Sequence, residues 1–145
     1  MIIKQAMTNK TKKDAFSIRK EVFIHEQHVP PEVELDQYDD SAIHFVGYKD
    51  KQPISASRLR IINNEGKLER VAVLKPYRHM GYGRQMIAYM EKHLLQMNIH
   101  QSTLNAQTMA INFYKQIGYT ITSEPFLEAN IEHVTMKKQL KHNKL

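Results

Sequence analysis

The sequence LERVAVL at residues 68–74, followed by RHMGYGR at residues 78–84, decides the fold of this chain. The β-branched run predicts a strand, and the apolar spacing after the turn predicts a helix from Gly83 to about Met97. The first backbone N–H groups of a helix have no partner within the helix, and they lie at the positive end of its dipole. A turn that enters a helix in this way is a typical binding site for phosphate.

The two glycines of the turn indicate which phosphate ligand it could bind. Gly81 and Gly83 lack the Cβ atoms that would keep a pyrophosphate away from the backbone, and Arg78 and Arg84 can add charged hydrogen bonds. A dinucleotide fingerprint needs a third glycine where Met86 stands, and a Walker loop needs lysine and then serine or threonine after the second glycine. An ordinary strand-to-helix turn with glycines chosen for geometry is the alternative. The predicted anion-binding residues are Arg78, His79, Met80, Gly81, Tyr82, Gly83 and Arg84.

The Arg-x-x-Gly-x-Gly turn resembles the pyrophosphate loop of the GNAT superfamily of acyl-CoA-dependent N-acetyltransferases. A second motif follows at the expected separation, because residues 110–119 are similar to the superfamily helix Ala-x-x-Phe-Tyr-x-x-x-Gly-Phe/Tyr. Segments spread over almost the whole chain look like the ElaA/YjcF-like branch of that superfamily; they are residues 18–27, 68–70, 104–107 and 131–136.

The order of predicted elements favours one α+β domain over residues 1–145, with a mixed, mainly antiparallel twisted sheet and helices on both faces. The other predicted elements are a strand at Ile2-Ile3, a helix over 11–24, a loop from Val29, a hairpin of 44–48 with 54–62, and closing strands near 119–122 and 131–138. The resemblance implies an α/β/α layering in which the strands 67–74 and 102–106 are adjacent and parallel but splay apart, with the acyl-thioester in the wedge between them.

The resemblance also implies acetyl-CoA, or coenzyme A, as co-substrate. Unpaired backbone groups of Val71, Ala72 and Val73 would bind the thioester carbonyl and the pantetheine amides. Many relatives have an asparagine where this chain has Gln107, which we expect to contact the pantetheine arm. Asn105 would orient the acceptor or the cofactor, or would only pair a buried backbone group. His25, His28 and Glu26 could be metal ligands, but no metal is expected, because His25 and His28 lack a third ligand at a recognisable spacing.

The chain has no cysteine that could carry the acyl group. Direct attack of the amine on the thioester in a ternary complex is therefore the favoured mechanism. An alkylammonium with a pKa of about 10 must lose a proton before it attacks. Glu69 is the candidate general base, and an ion pair with Arg58, Arg70 or a lysine is its alternative role. By resemblance Tyr114 would protonate the departing sulfur, whereas its neighbour Phe113 is expected in the core.

The charge distribution bears on the acceptor. The net charge is +6, but residues 21–48 contain seven acids and no lysine or arginine. We interpret this acidic segment either as steering a cationic amine towards the site or as a solvated loop. Basic residues gather near the start, around the phosphate turn and in the tail at Lys137, Lys138, Lys141 and Lys144. The residues expected to contact the acceptor are Arg19, Glu26, Gln27 and His133.

The predicted function is transfer of an acetyl group to a primary amine of a small molecule or peptide. A non-catalytic acyl-CoA-binding module with a protein partner is the alternative, and nucleic-acid binding is a weaker one because no basic stripe with interleaved aromatics is present. No apolar run approaches the ~18 residues that span a bilayer, so no membrane partner is expected. No signal peptide is recognised, so the cytoplasm is the expected location. A homodimer is one open alternative for the oligomeric state.

Overall fold

A computed structural model describes residues 1–141, and Lys144 lies outside them. The elements are β1 (Ile2–Gln5), α1 (Asn9–Arg19), a π-helical segment (Lys20–Glu26), α2 (Pro31–Glu34), β2 (Ile43–Lys49), β3 (Gln52–Ile62), β4 (Glu65–Val73), a 3-10 turn (Lys75–Tyr77), α3 (Tyr82–Gln96), β5 (Gln101–Gln107), a 3-10 turn (Thr108–Ala110), α4 (Ile111–Gln116), β6 (Thr120–Ile121), β7 (Phe126–Glu128) and β8 (Ile131–Gln139).

One sheet organises the described residues, with strand order β1-β2-β3-β4-β5-β8-β6 and β7 also paired to β8. Every pairing is antiparallel except β4 with β5. α3 covers one face, where Met86, Met90 and Leu94 pack on Leu68 and Leu104. α1 packs the other face through a separate apolar cluster. The predicted fold class is confirmed.

A β-bulge in β4 opens the wedge. Ala72 faces Ala56 on β3 and Glu69 faces Arg58, so one extra residue is accommodated on β4 between these pairs, and Arg70 has a φ of 54°. Because the extra residue shifts the side-chain alternation, Leu68 packs in the α3 cluster whereas Ala72 packs in the α1 cluster. The parallel pairing with β5 ends at Leu68 and Leu104. Beyond that point the two strands splay, as predicted.

Three local features differ from the sequence prediction. The first helix starts at Asn9 because Thr8 and Thr11 form a capping box, and it continues as a π-helical segment to Glu26. The expected loop after Val29 contains α2, which Pro31 can begin because proline suits the first turn of a helix. β7 was not predicted; a two-residue turn at Ala129 and Asn130, both with positive φ, joins it to β8.

Candidate active site

The wedge opens into a cavity of about 660 Å³, a volume typical of a small-molecule site. Its walls come from the splayed parts of β4 and β5, from the end of the π-helical segment, from α2 and from the β7–β8 turn. The lining includes these predicted residues: Gln27, Glu69, Val71, Ala72, Val73, Arg78, Asn105, Gln107, Tyr114 and His133. The fold therefore brings most of the predicted site together.

The start of α3 has the geometry of an anion site. Gly81 is its N-cap with a φ of 86°, no side chain caps it, and its first turn carries no acid. The Gln85 N–H donates to the Gly81 carbonyl at 3.0 Å, so the N–H groups of Tyr82, Gly83 and Arg84 precede the first intrahelical bond. They lie at the positive end of a 15-residue helix.

Gly83 tests whether a pyrophosphate fits this turn. A Cβ on Gly83 would lie 3.6 Å from Phe113 Cζ and 3.9 Å from Val73 Cγ2, which are ordinary contacts. Its φ is not positive, in contrast to that of Gly81. Neither packing nor backbone conformation requires glycine at 83, whereas a ligand lying against the backbone would. The residues present therefore fit a bound pyrophosphate.

Arg78 is held between the wedge and the end of the π-helical segment. Its Nε donates to the Val73 carbonyl at 2.9 Å, and its Nη1 and Nη2 donate to the two Glu26 carboxylate oxygens at 2.6 and 2.8 Å. The hydrogen bond from Arg78 lowers the pKa of Glu26. Glu26 was expected to contact the acceptor; its carboxylate is paired with a residue of the phosphate turn and lies outside the cavity lining, and its role stays a prediction.

The backbone of β4 presents alternate groups to the wedge. The Leu74 N–H donates to the Ile54 carbonyl on β3 at 2.9 Å, and Ala72 pairs with Ala56 on the same strand. Because backbone groups alternate in direction along a strand, those of Val71 and Val73 point towards the splay. Ala72 was also expected to offer free backbone groups; its pairing with Ala56 directs its amide towards β3, and its contact with a ligand stays a prediction.

Tyr114 lines the cavity. Its ring packs edge-on against Phe113 and Tyr119, with centroids 5.0 and 5.8 Å away. Burial raises the pKa of Tyr114 to about 12, and no group within residues 1–141 hydrogen-bonds its hydroxyl. Phe113 was expected in the core, but it is 37% exposed because it borders Gly83 at the surface.

Hydrogen bonds connect side chains along the wall formed by β5 and β8. Of the residues involved, the sequence predicted Asn105 and His133 as part of the site. Thr135 Oγ1 donates to Asn105 Oδ1 at 2.9 Å, and Asn105 Nδ2 donates to Glu128 Oε1 at 3.2 Å. His133 Nδ1 lies 2.6 Å from the Ile131 carbonyl, so Nδ1 must carry the proton. In the neutral ring Nε2 then bears the lone pair, and it lies 3.5 Å from Glu128 Oε2.

Glu128 is the cavity carboxylate that sequence reasoning missed. The signal that could have found it is the Ala-Asn pair at 129–130 between two short strand-like runs, since asparagine tolerates the positive φ of a two-residue hairpin turn. The turn places Glu128 opposite Ile131 and next to His133. A further contact closes the same region, where Gln107 Nε2 donates to Gln27 Oε1 at 3.0 Å.

Glu69 occupies the centre of a group of cations on β3 and β4. It pairs with Arg60 through both oxygens, with Arg58 Nη2 at 3.1 Å and, more loosely, with Lys67 Nζ at 3.8 Å. Burial alone would raise the pKa of Glu69, but the hydrogen bond from Arg60 and the charge of Arg58 outweigh it and the pKa is lowered. Of its two roles considered above, the ion pair is present; the role of base stays a prediction.

Arg19, which was expected to contact the acceptor, is buried and lies outside the cavity lining. The side chain is 0% exposed and donates to the Glu34 carboxylate at 3.0 Å and to Asp39 at 2.8 Å. Burial by itself would raise the pKa of Asp39, but the hydrogen bond and charge of Arg19 lower it to about 2. Arg19 therefore positions the segment that contains α2 rather than binding a ligand.

The acidic segment is largely neutralised by arginines. Glu34 pairs with Arg19 and with Arg70, whose Nε lies 2.7 Å from Glu34 Oε2. Asp36 pairs with Arg58 at 2.6 Å and with Arg70 at 3.3 Å. Asp39 pairs with Arg19 and Arg58. Glu34, Asp36 and Asp39 are thus each paired with two arginines, which leaves little net negative charge on this part of the segment. This geometry does not support the steering role.

Within residues 1–141, no group of three His, Asp or Glu side chains is placed to hold a metal ion. No helix in the same part of the chain is long and apolar enough to cross a membrane.

Comparisons with known proteins agree with this geometry. The family description Acetyltransferase (GNAT) domain matches residues 5–140. The uncharacterised N-acetyltransferase YjcF of Bacillus subtilis (strain 168) is 43% identical over 127 residues, which cover 87% of this chain and 91% of YjcF. ElaA of Escherichia coli superposes with a TM-score of 0.84 at 20% identity, over 95% of this chain and 99% of ElaA. A GNAT family acetyltransferase from Elizabethkingia anophelis with acetyl-CoA bound gives 0.76 at 14% identity, over 96% and 97% of the two chains.

Proposed function

Because the chain belongs to the GNAT family of N-acetyltransferases, in its ElaA/YjcF-like branch, we propose that it transfers an acetyl group from acetyl-CoA to a primary amine of a small molecule or peptide. The observation that carries the proposal is the uncapped start of α3, with Gly83 open to a ligand, beside the wedge between β4 and β5. The acetyl-CoA complex of the Elizabethkingia relative supports the choice of donor. The cytoplasm stays the predicted location.

The cofactor would lie along the wedge. The N–H groups of Tyr82, Gly83 and Arg84 would bind the pyrophosphate, with His79 and Met80 bordering it. The pantetheine arm would follow Val71 and Val73, whose backbone groups point towards the splay. Gln107 would exchange its present bond to Gln27 for one to the arm. A bound acetyl-CoA supplies the acyl-thioester on which the transfer takes place.

The residues of the wedge then have separate tasks. A backbone N–H of Val71 or Val73 would stabilise the negative charge on the thioester oxygen as the amine attacks; such a donor typically contributes ~2.7–4 kcal/mol. The C–S bond would then break, with the thiolate as the leaving group. The Tyr114 hydroxyl, which stays protonated because its pKa is about 12, would donate to that sulfur.

The proton of the attacking ammonium needs an acceptor. Glu69 is a weak choice, because its ion pairs lower its pKa and occupy its oxygens. We assign the role to His133, which lines the cavity and whose Nε2 lies 3.5 Å from Glu128 Oε2. A carboxylate there stabilises the imidazolium once the proton has arrived. Asn105 would hold Glu128 in place.

The test starts from binding. Acetyl-CoA should raise the Tm of the wild type and not that of Gly81→Asp/Gly83→Asp, because two carboxylates at the start of α3 repel pyrophosphate. The matched control, Asn63→Asp/Asn64→Asp, adds the same charge at the exposed β3–β4 turn and should keep the shift. An unchanged wild-type Tm, or an equal shift in the Gly81→Asp/Gly83→Asp variant, would refute the cofactor site.

Release of the CoA thiol with primary amines then tests catalysis. Tyr114→Phe should slow that release while leaving the acetyl-CoA shift intact. If no amine releases thiol from a protein that binds acetyl-CoA, the non-catalytic acyl-CoA-binding module replaces the transferase.

A further inference from the structure

We propose that the acceptor amine also carries an anionic group, a carboxylate or a phosphate, which binds to Arg60 and Lys67 on the cavity wall. This inference rests on the proposed function and names the acceptor class of the same site. It differs from one of the two interpretations of the acidic segment, in which acids steer a cationic amine towards the site.

Arg60 and Lys67 are direct cross-strand neighbours. The register of β3 and β4 pairs Arg60 with Lys67 and Arg58 with Glu69, and both pairs project from the same face of the sheet. Like charges directly opposite each other on one face destabilise a strand pair. Glu69 is the carboxylate that contacts all three cations, at 3.8 Å in the case of Lys67. Arg60 and Lys67 share this one carboxylate, so repulsion between the two cations remains. A bound ligand anion would reduce that repulsion.

Arg60 and Lys67 line the cavity and are partly exposed. The side chains of Arg60, Lys67 and Arg70 are 16, 26 and 22% exposed, whereas those of Glu69 and Glu34 are 11 and 1% exposed. Glu34, Asp36 and Glu69 line the cavity as well, but within residues 1–141 Glu69 is the one carboxylate paired with Arg60 and Lys67. Arg60 is also fixed by stacking on the Tyr38 ring, with its guanidinium carbon 3.8 Å from the ring centroid. A guanidinium held in this way is ready to bind an anion without further ordering.

The opposite wall has the opposite charge. Glu128 is 46% exposed, and within residues 1–141 no lysine or arginine forms an ion pair with it; His133 is its ionisable partner. Its carboxylate lies beside Asn105, on the strand that forms the far side of the wedge. An amine approaching the thioester would thus meet a carboxylate, while the rest of the same molecule would meet Arg60 and Lys67. A zwitterion satisfies both walls.

The experiment compares amines that differ only in the anion. 4-Aminobutyrate is paired with 4-aminobutyramide, and phosphoethanolamine is paired with ethanolamine, all at matched ionic strength. Each compound is scored first by the Tm of the CoA-saturated protein and then by thiol release from acetyl-CoA. In at least one pair, the compound that carries the anion should raise the Tm more than its partner without the anion. Its kcat/KM should also be roughly tenfold higher, because it gains a hydrogen bond between charged groups. The member of the series that responds distinguishes carboxylate from phosphate.

Variants assign the effect to the wall. Lys67→Met keeps the length of the side chain and should abolish the preference for the anionic compound; Lys67→Arg should restore most of it. Lys12→Met removes an exposed lysine of α1 outside the cavity lining and should leave the preference unchanged. Each variant must first show the wild-type shift with acetyl-CoA, which separates a folding or cofactor defect from loss of the subsite.

Two results would overturn the inference. One is an equal response, in Tm and in turnover, to the compounds with and without the anion while acetyl-CoA still binds. The proposed transferase would then stand without an anion subsite. The other is a preference that survives in Lys67→Met. A wild type that does not bind acetyl-CoA would instead refute the proposed function itself.

Discussion

Replacing Gly83 by alanine should stabilise the protein and weaken acetyl-CoA at the same time. The new methyl group would lie 3.6 Å from Phe113 and 3.9 Å from Val73, so it meets no clash. Glycine within a helix is less favourable than alanine by roughly 0.5–1 kcal/mol, and this site in the first turn of α3 should recover part of that. For a chain of this length the gain corresponds to a rise in Tm of about 1–4 °C.

The same methyl group would stand where a pyrophosphate approaches the backbone N–H groups at the start of α3. We expect acetyl-CoA to bind at least tenfold more weakly, which is about 1.4 kcal/mol. Urea denaturation gives the first quantity and titration with acetyl-CoA gives the second. Gly81→Ala is the matched control: its φ of 86° strains any side chain, so it should lose about 1–2 kcal/mol of stability although nothing lies within 4 Å. A Gly83→Ala protein that binds acetyl-CoA as the wild type does would refute the argument that a ligand requires this glycine.

Three further predictions follow from the buried ion pairs and from Tyr114. Arg19→Met should lower the free energy of unfolding by about 3–5 kcal/mol, because it leaves Glu34 and Asp39 buried without their main partner; Arg19→Lys should lose less in the same urea titration. Stability should fall by about 2 kcal/mol as the pH drops from 4 to 2, because the pKa of Asp39 is about 2 in the folded protein against 3.8 ordinarily, so its contribution is present above pH 4 and is lost on protonation; an Asp39→Asn variant should not show this part of the pH dependence. Tyr114→Phe should lower kcat by about 10²–10⁴ with little change in the binding of acetyl-CoA, and an unchanged kcat would remove its role as proton donor.

The elements that the sequence predicts well are those with a strong local pattern. α3 shows helical spacing of its apolar residues. The glycines of the turn before it indicate phosphate binding, and this inference needs no knowledge of the rest of the fold. The β4–β5 pair and its splay came from a resemblance, because no local pattern states which strands are neighbours. The confirmed splay depends on a bulge at Arg70. Positive φ is uncommon for arginine, so the residue type does not predict this bulge.

The charged residues were harder to place, because ion pairing depends on contacts distant in sequence. Arg19 and Glu34 are 15 residues apart, and Arg70 reaches Glu34 across 36 residues. Sequence reasoning saw an acidic segment without lysine or arginine and could not see that arginines from three other elements fill it. Glu128 was missed for a related reason: its strand is three residues long, and a short strand leaves no periodic pattern.

The wedge stays open because of the number of residues in β4 rather than their chemistry, since the bulge at Arg70 needs one residue more than β3 has opposite it. Ala72 and Val73 occupy their faces only because one additional residue precedes them on β4. Substitutions in this strand preserve that count, so they can change the walls of the wedge without closing it. Removing a single residue near Arg70 would instead exchange the two faces of everything from Val71 to Leu74. The opening between two strands is thus encoded as an insertion of one residue, and it is more tolerant of substitution than of deletion.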